Sequence, residues 1–138
     1  MRVVFDTVVL VRGLLDPSSW SGKLLFDESH AYEWAVSPEI VAEYLRVLKR
    51  PGLTRKYPAV ENRDLQAMLA QIATATIVQP LIVPTVCRDP SDDKFLAAAT
   101  VGEARYIVSE DADLLDLVSY EEIAIVSTSR FMQIIEHE

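Results

Sequence analysis

Three short apolar runs constrain this chain more than any other feature: Val3-Val4-Phe5, Tyr106-Ile107-Val108 and Ile123-Ala124-Ile125-Val126. None of them alternates polar with apolar residues. Each therefore reads as a strand buried on both faces, as strands of a parallel sheet are. Amphipathic stretches separate the runs. Ser37-Pro38-Glu39 opens one of them with an N-cap hydroxyl, a proline at the first helical position and an acid in the first turn. Ile40, Val41, Tyr44, Leu45 and Leu48 then fall on one helical face, and Pro51-Gly52 closes the segment. The same reasoning predicts helices after Asp6-Thr7 through Leu15, over Ser21–Ser29, Glu61–Thr74 and Asp92–Val101, and over Thr128–Glu136 with Phe131, Ile134 and Ile135 turned inward. Further strands are expected at Tyr32–Val36 and Thr76–Val78. Strand alternating with helix predicts an α/β domain whose parallel sheet is covered on both faces. No repeat, linker or shift of composition divides residues 1–138, so one domain is expected.

Composition narrows the chemistry. Half of the 138 residues are apolar, enough for a sizeable core. A single cysteine, Cys87, excludes an intrachain disulfide and a cysteine-based zinc cluster, and two histidines argue against a histidine-built metal site. No apolar run approaches the ~20 residues needed to cross a bilayer. The apolar N-terminus is broken by Asp6 and Arg12 and lacks a small-residue cleavage site, so it is not read as a signal peptide. A reducing, cytoplasmic setting is the expectation. The net charge of −8 opposes long-range attraction of nucleic acid, but the charges are unevenly spread. Arg46, Lys49, Arg50, Arg55 and Lys56 form a basic stretch with no acid among them, while Asp89–Glu138 holds twelve acids against three bases.

The acids carry the functional argument. In open α/β sheets ligands bind beyond the carboxyl ends of the strands. Asp6 follows the first strand directly, Asp111 follows the Tyr106 strand, Asp92 and Asp93 open a helix, and Glu43 lies at the border of the buried face of the Ser37 helix. Singly, Asp6 could cap a helix, Asp92 and Asp93 could favour a helix dipole, and Glu43 could be solvated. Jointly, carboxylates converging on one edge repel, so their pKa values rise or a cation binds. With no sulfur or imidazole in reach, the ligand set is oxygen only and suits Mg²⁺ or Mn²⁺.

FDTVVLVRGLL, SPEIVAEYLRVL, RDPSDDKFLAAAT and YIVSEDADLLDL, in this order, resemble the PIN-domain family, in particular its VapC-like toxin components of toxin–antitoxin systems. The likeness runs from Arg2 to about Phe131. It implies a three-layer α/β/α sandwich with a mostly parallel central sheet and a Mg²⁺- or Mn²⁺-dependent endoribonuclease activity. It also implies RNA as substrate and a cognate antitoxin protein as partner. Position by position, the family's metal-binding acids fall on Asp6, Glu43, Asp93 and Asp111, with Asp92 as an alternative in the Ser91-Asp92-Asp93 stretch. Thr7 and Ser109 match residues that support those acids. Arg46, Lys49, Arg50, Arg55 and Lys56 are candidates to follow the RNA backbone.

One departure stands out. Many relatives carry Asp-Thr-Asn at the start, and here the third residue is Val8, which has no side-chain hydrogen bond to offer. Two readings compete with the nuclease one, the first favoured by Val8 and the second opposed by it. One is a catalytically impaired PIN-like module that binds RNA or protein. The other is a Mg²⁺-dependent phosphatase, which would want a second acid where Val8 stands. Trp20, Leu24 and Leu25 could serve a partner or a homodimer, although burial is the commoner fate of such residues.

Overall fold

In the computed structural model, which describes residues 1–50 and 62–137, the chain begins with strand β1 (Arg2–Phe5) and turns at Asp6 into helix α1 (Thr7–Leu15). Asp16 and Pro17 stop α1 as expected. A short helix α2 (Trp20–Gly22) follows, continues as a wider π-helical turn (Lys23–Asp27), and gives way to a 3₁₀ turn (Ser29–Ala31). The regular helix expected over Ser21–Ser29 is therefore replaced by three kinds of helical turn. Packing decides this: Leu24 and Leu25 are both fully buried, whereas Trp20 stays half exposed. A wider turn lets adjacent leucines face the core together. Gly22 is required there, because a Cβ on it would lie 2.3 Å from the Pro17 carbonyl oxygen. Gly22→Ala should cost about 1–3 kcal/mol of stability through backbone displacement, read as a lower urea midpoint with an unchanged slope.

Strand β2 (Glu33–Val36) leads to α3 (Pro38–Leu48), capped by Ser37, whose Oγ accepts from Ile40 N at 3.2 Å. Helix α3 ends at Leu48, and Pro51-Gly52 lie outside the described residues. Then come α4 (Asn62–Ala73), the two-residue strand β3 (Thr76–Ile77), a 3₁₀ turn (Pro90–Asp92) and α5 (Asp93–Val101). The chain finishes with β4 (Tyr106–Val108), the single-turn α6 (Ala112–Leu115), β5 (Ser119–Tyr120), β6 (Ile123–Val126) and α7 (Thr128–Glu136). Phe131 of α7 is buried, while Ile134 and Ile135 only border the core.

Among the described residues six strands form one sheet in the order β3-β2-β1-β4-β6-β5. All pairs are parallel except β5 with β6. The antiparallel β5 was not legible in the sequence, since two residues carry no periodicity. Val3, Val4 and Phe5 in β1 are completely buried although neighbours point to opposite faces, so both faces of the sheet are covered. Phe5 anchors the end of β1 by edge-to-face packing on Tyr32, Trp34 and Phe131, with ring centroids 5.3–6.5 Å apart. Its carbonyl accepts the buried Tyr44 hydroxyl of α3. The register pairs Phe5 with Val108, and Asp6 N continues the ladder to Val108 O at 3.1 Å. The residues that follow β1 and β4 thus leave the sheet side by side at its carboxyl edge. Among the described residues no helix is long and apolar enough to cross a membrane.

Candidate active site

Asp6 is the N-cap of α1, its Oδ1 accepting from Val9 N at 3.0 Å. Its second oxygen takes the Ser109 hydroxyl and Glu110 N, the latter at 3.3 Å. Only 2% of the residue is exposed. Burial is the largest influence on it and exceeds the opposing hydrogen bonds from Ser109, Val9 and Glu110; with the nearby Asp111 charge it pushes the carboxyl up to about 6. The cap expected from sequence and the charge-bearing site are the same side chain.

Asp111 caps α6 through Asp113 N at 3.1 Å, and its own N–H bonds to Ser109 Oγ at 2.9 Å. Ser109, fully buried, therefore ties Asp6 to Asp111. Asp92 completes the group. It stands at the N-cap position of α5 but makes no capping hydrogen bond. Its carboxyl lies against Asp111 instead. Burial first, then the charge of Asp111 and a hydrogen bond with it, then Asp89 and Asp6, push Asp92 up to about 7. Its Oδ2 is buried without a hydrogen-bond partner. Leaving such an oxygen unsatisfied costs about 1–3 kcal/mol, so the position stores an unmet demand for a cation or proton.

Asp93 spends one oxygen on the loop that precedes it. Its Oδ1 accepts Cys87 N at 2.8 Å and Val86 N at 3.1 Å. Burial raises its pKa, but these backbone hydrogen bonds and the Cys87 thiol outweigh it and leave the carboxyl below its ordinary value. The structure thus brings Asp6, Asp92 and Asp111 together and gives Asp93 the task of holding the 86–87 loop. The difference arises because the 3₁₀ turn at Pro90–Asp92 rotates successive residues by more than an α-turn would.

Glu43 lies beside the group. Its Oε2 accepts the Thr7 hydroxyl, next in sequence to Asp6, and its Oε1 is 2.7 Å from Lys94 Nζ and 3.8 Å from Arg46. Glu110, between Ser109 and Asp111, turns the other way. Its Oε1 accepts Thr128 N at 3.0 Å at the start of α7, and its Oε2 pairs with Arg12 at 3.5 Å. Arg88 holds Asp113 at 3.4 Å and Asp116 at 3.6 Å, which leaves those acids as surface ion pairs. Lys49 and Arg50 are exposed beyond the end of α3, and Arg55 and Lys56 lie outside the described residues. Val8 is 38% exposed at the start of α1.

Sequence reasoning missed Lys94. A signal was available: a lysine in the first turn of α5 opposes the helix dipole, so another interaction must hold it there. Cys87 was missed as a neighbour of the acids. Burial first, then its hydrogen bond to Asp93 and the charges of Asp93, Asp92 and Asp111, push its thiol up to about 12. Iodoacetamide at pH 8 should therefore label the lone cysteine about 1,000-fold more slowly than a free thiol, measured by intact mass against time.

Among the described residues no group of three or more His, Cys, Asp or Glu side chains is placed so as to hold a metal ion. The donor set is nevertheless all oxygen, and the orphaned Asp92 Oδ2 fits a hard divalent cation.

A family model described as PIN domain matches residues 2–113. Over 120 residues the chain is 35% identical to an uncharacterized protein of Methanocaldococcus jannaschii, covering 85% of this chain and 75% of that one. A crystal structure of a protein from Pyrobaculum aerophilum superposes with a TM-score of 0.59 over 100% of this chain and 91% of that chain. At 12% identity that likeness is one of fold. With the matched stretch running from β1 to the acids after β4, the chain belongs to the PIN domain family, whose members are generally nucleases and typically use divalent metals.

Proposed function

We propose that this protein is an endoribonuclease that depends on Mg²⁺ or Mn²⁺, with Asp6, Asp92 and Asp111 as the acids nearest the ion and Glu43 at their margin. The observation that carries this reading is the crowding of Asp92 on Asp111 at the carboxyl edge of the sheet, with Asp92 Oδ2 buried and unpartnered. A buried carboxylate crowded by another gives up stability, and a bound cation would return it. Bound there, a divalent ion supplies an acidified water and neutralises charge at a scissile phosphate.

The chain's own residues do the rest. Ser109 donates to the Asp6 carboxylate and accepts the Asp111 N–H, while Asp113 N holds the Asp111 carboxylate, so both acids are pre-oriented. Thr7 holds Glu43 against the same edge. Asp93 pins the loop that precedes Asp92. Arg46 in the last turn of α3, and Lys49 and Arg50 just past its end, are exposed and would follow the RNA backbone. Cleavage would leave 5′-phosphate and 3′-hydroxyl ends. Action as the toxin of a toxin–antitoxin pair, restrained by a cognate antitoxin protein, belongs to the same proposal and is supported by the motif likeness alone.

The test is cleavage of a labelled single-stranded RNA by purified protein. Cutting with millimolar Mn²⁺, no cutting in EDTA and 5′-phosphate ends are expected. A protein that binds Mn²⁺ but cuts neither RNA nor a generic phosphate ester is the impaired module instead. Induced expression that arrests growth with the wild type and not with Asp6→Asn would support the toxin role.

A further inference from the structure

Lys94 is the feature that the site's chemistry does not yet use. Its side chain is only 13% exposed, and its partner Glu43 only 16%. Three contacts hold the ammonium: Glu43 Oε1 at 2.7 Å, the Ser91 carbonyl, and the face of the Phe95 ring at 5.4 Å. Arg46, the other cation near Glu43, is 3.8 Å away and 65% exposed, so solvent screens it. Glu43 is thus neutralised by a cation covalently attached to α5, one that cannot dissociate. A fixed positive charge in a partly dry site also repels any ion brought beside it.

We propose that Lys94 is a positioning residue that takes the place of a second divalent cation, so that the site binds one metal ion per chain, at the Asp6, Asp92 and Asp111 carboxylates. This rests on the metal-dependent reading above and narrows it. Glu43 then serves as the anchor for Lys94 and Thr7, and Lys94 supplies the second positive charge near the substrate phosphate.

Calorimetric titration of Mn²⁺ alone into the full chain tests the proposal. Wild type should bind one ion. Lys94→Met, with Glu43 released, should bind a second ion, or bind the first about tenfold more tightly. Lys94→Arg should behave as wild type, and adding Glu43→Gln to Lys94→Met should abolish the gain. Lys94→Gln substitutes if circular dichroism shows Lys94→Met unfolded. A wild type that takes two ions, or a folded Lys94→Met or Lys94→Gln that gains nothing over wild type, overturns the proposal. A wild type that takes no ion overturns the metal reading itself; a Lys94→Met gain over that baseline would still support the role of Lys94.

Discussion

Asp92→Asn is expected to abolish Mn²⁺-dependent RNA cleavage while the metal-free protein becomes more stable. Residues that merely support metal ligands cost about 10–100-fold when replaced, and a carboxylate in direct reach of the ion should lose at least the larger figure. Asp6→Asn should lose activity to the same degree. The gain in stability has a separate cause. Asp92 is held up to about 7 by burial and by its acidic neighbours, chiefly Asp111. An uncharged amide removes that repulsion. Asp93 separates the two ways of placing the site. Asp93→Asn keeps an oxygen for the Val86 and Cys87 N–H groups, so activity within about tenfold of wild type is expected of a loop anchor. Asp93→Ala removes the acceptor and should cost about 1–3 kcal/mol of stability. The measurements are initial cleavage rates and urea midpoints in EDTA. Equal loss of cleavage in Asp92→Asn and Asp93→Asn, with folding intact, would return Asp93 to the set of ligands.

The second large effect concerns pH and metal. The folded pKa of Asp6, about 6, lies above the 3.8 of an unstrained carboxyl. Between those values the folded state holds more protons than the unfolded one. Stability from this group is therefore fully present below about pH 4 and lost as pH rises through about 6. At 1.36 kcal/mol per pKa unit the loss is about 3 kcal/mol. Asp92 adds a loss of the same sign that extends to about pH 7. Asp93, held low, works in the opposite direction, since its contribution disappears in acid. Metal-free protein should accordingly melt highest near pH 4 and several degrees lower at pH 8. Millimolar Mn²⁺ should raise the melting temperature at pH 8 more than at pH 5, because it binds the ionised carboxylates. Scanning fluorimetry in EDTA and in Mn²⁺ across this range decides the matter. A flat metal-free profile with no response to Mn²⁺ would mean that the three acids do not act as one site.

Much of this protein is written locally. Unalternating β-branched runs can only be strands covered on both faces, and these runs became β1, β4 and β6. Ser37-Pro38 starts α3 by chemistry internal to four residues. Asp6 and Asp111 were legible because a residue that follows a parallel strand has nowhere to go but the carboxyl edge. What sequence could not decide was direction. Asp92 and Asp93 are adjacent acids at one helix start, and only the 3₁₀ turn and the 86–87 loop decide which carboxyl meets Asp111. Glu110, flanked by Ser109 and Asp111, was drawn away to Thr128 of α7. Lys94, in the first turn of α5, met Glu43, in the middle of α3, 51 positions away in the chain. Local propensity needs only neighbours along the backbone. Where a side chain points depends on partners brought from distant segments, and those exist only once the sheet has formed.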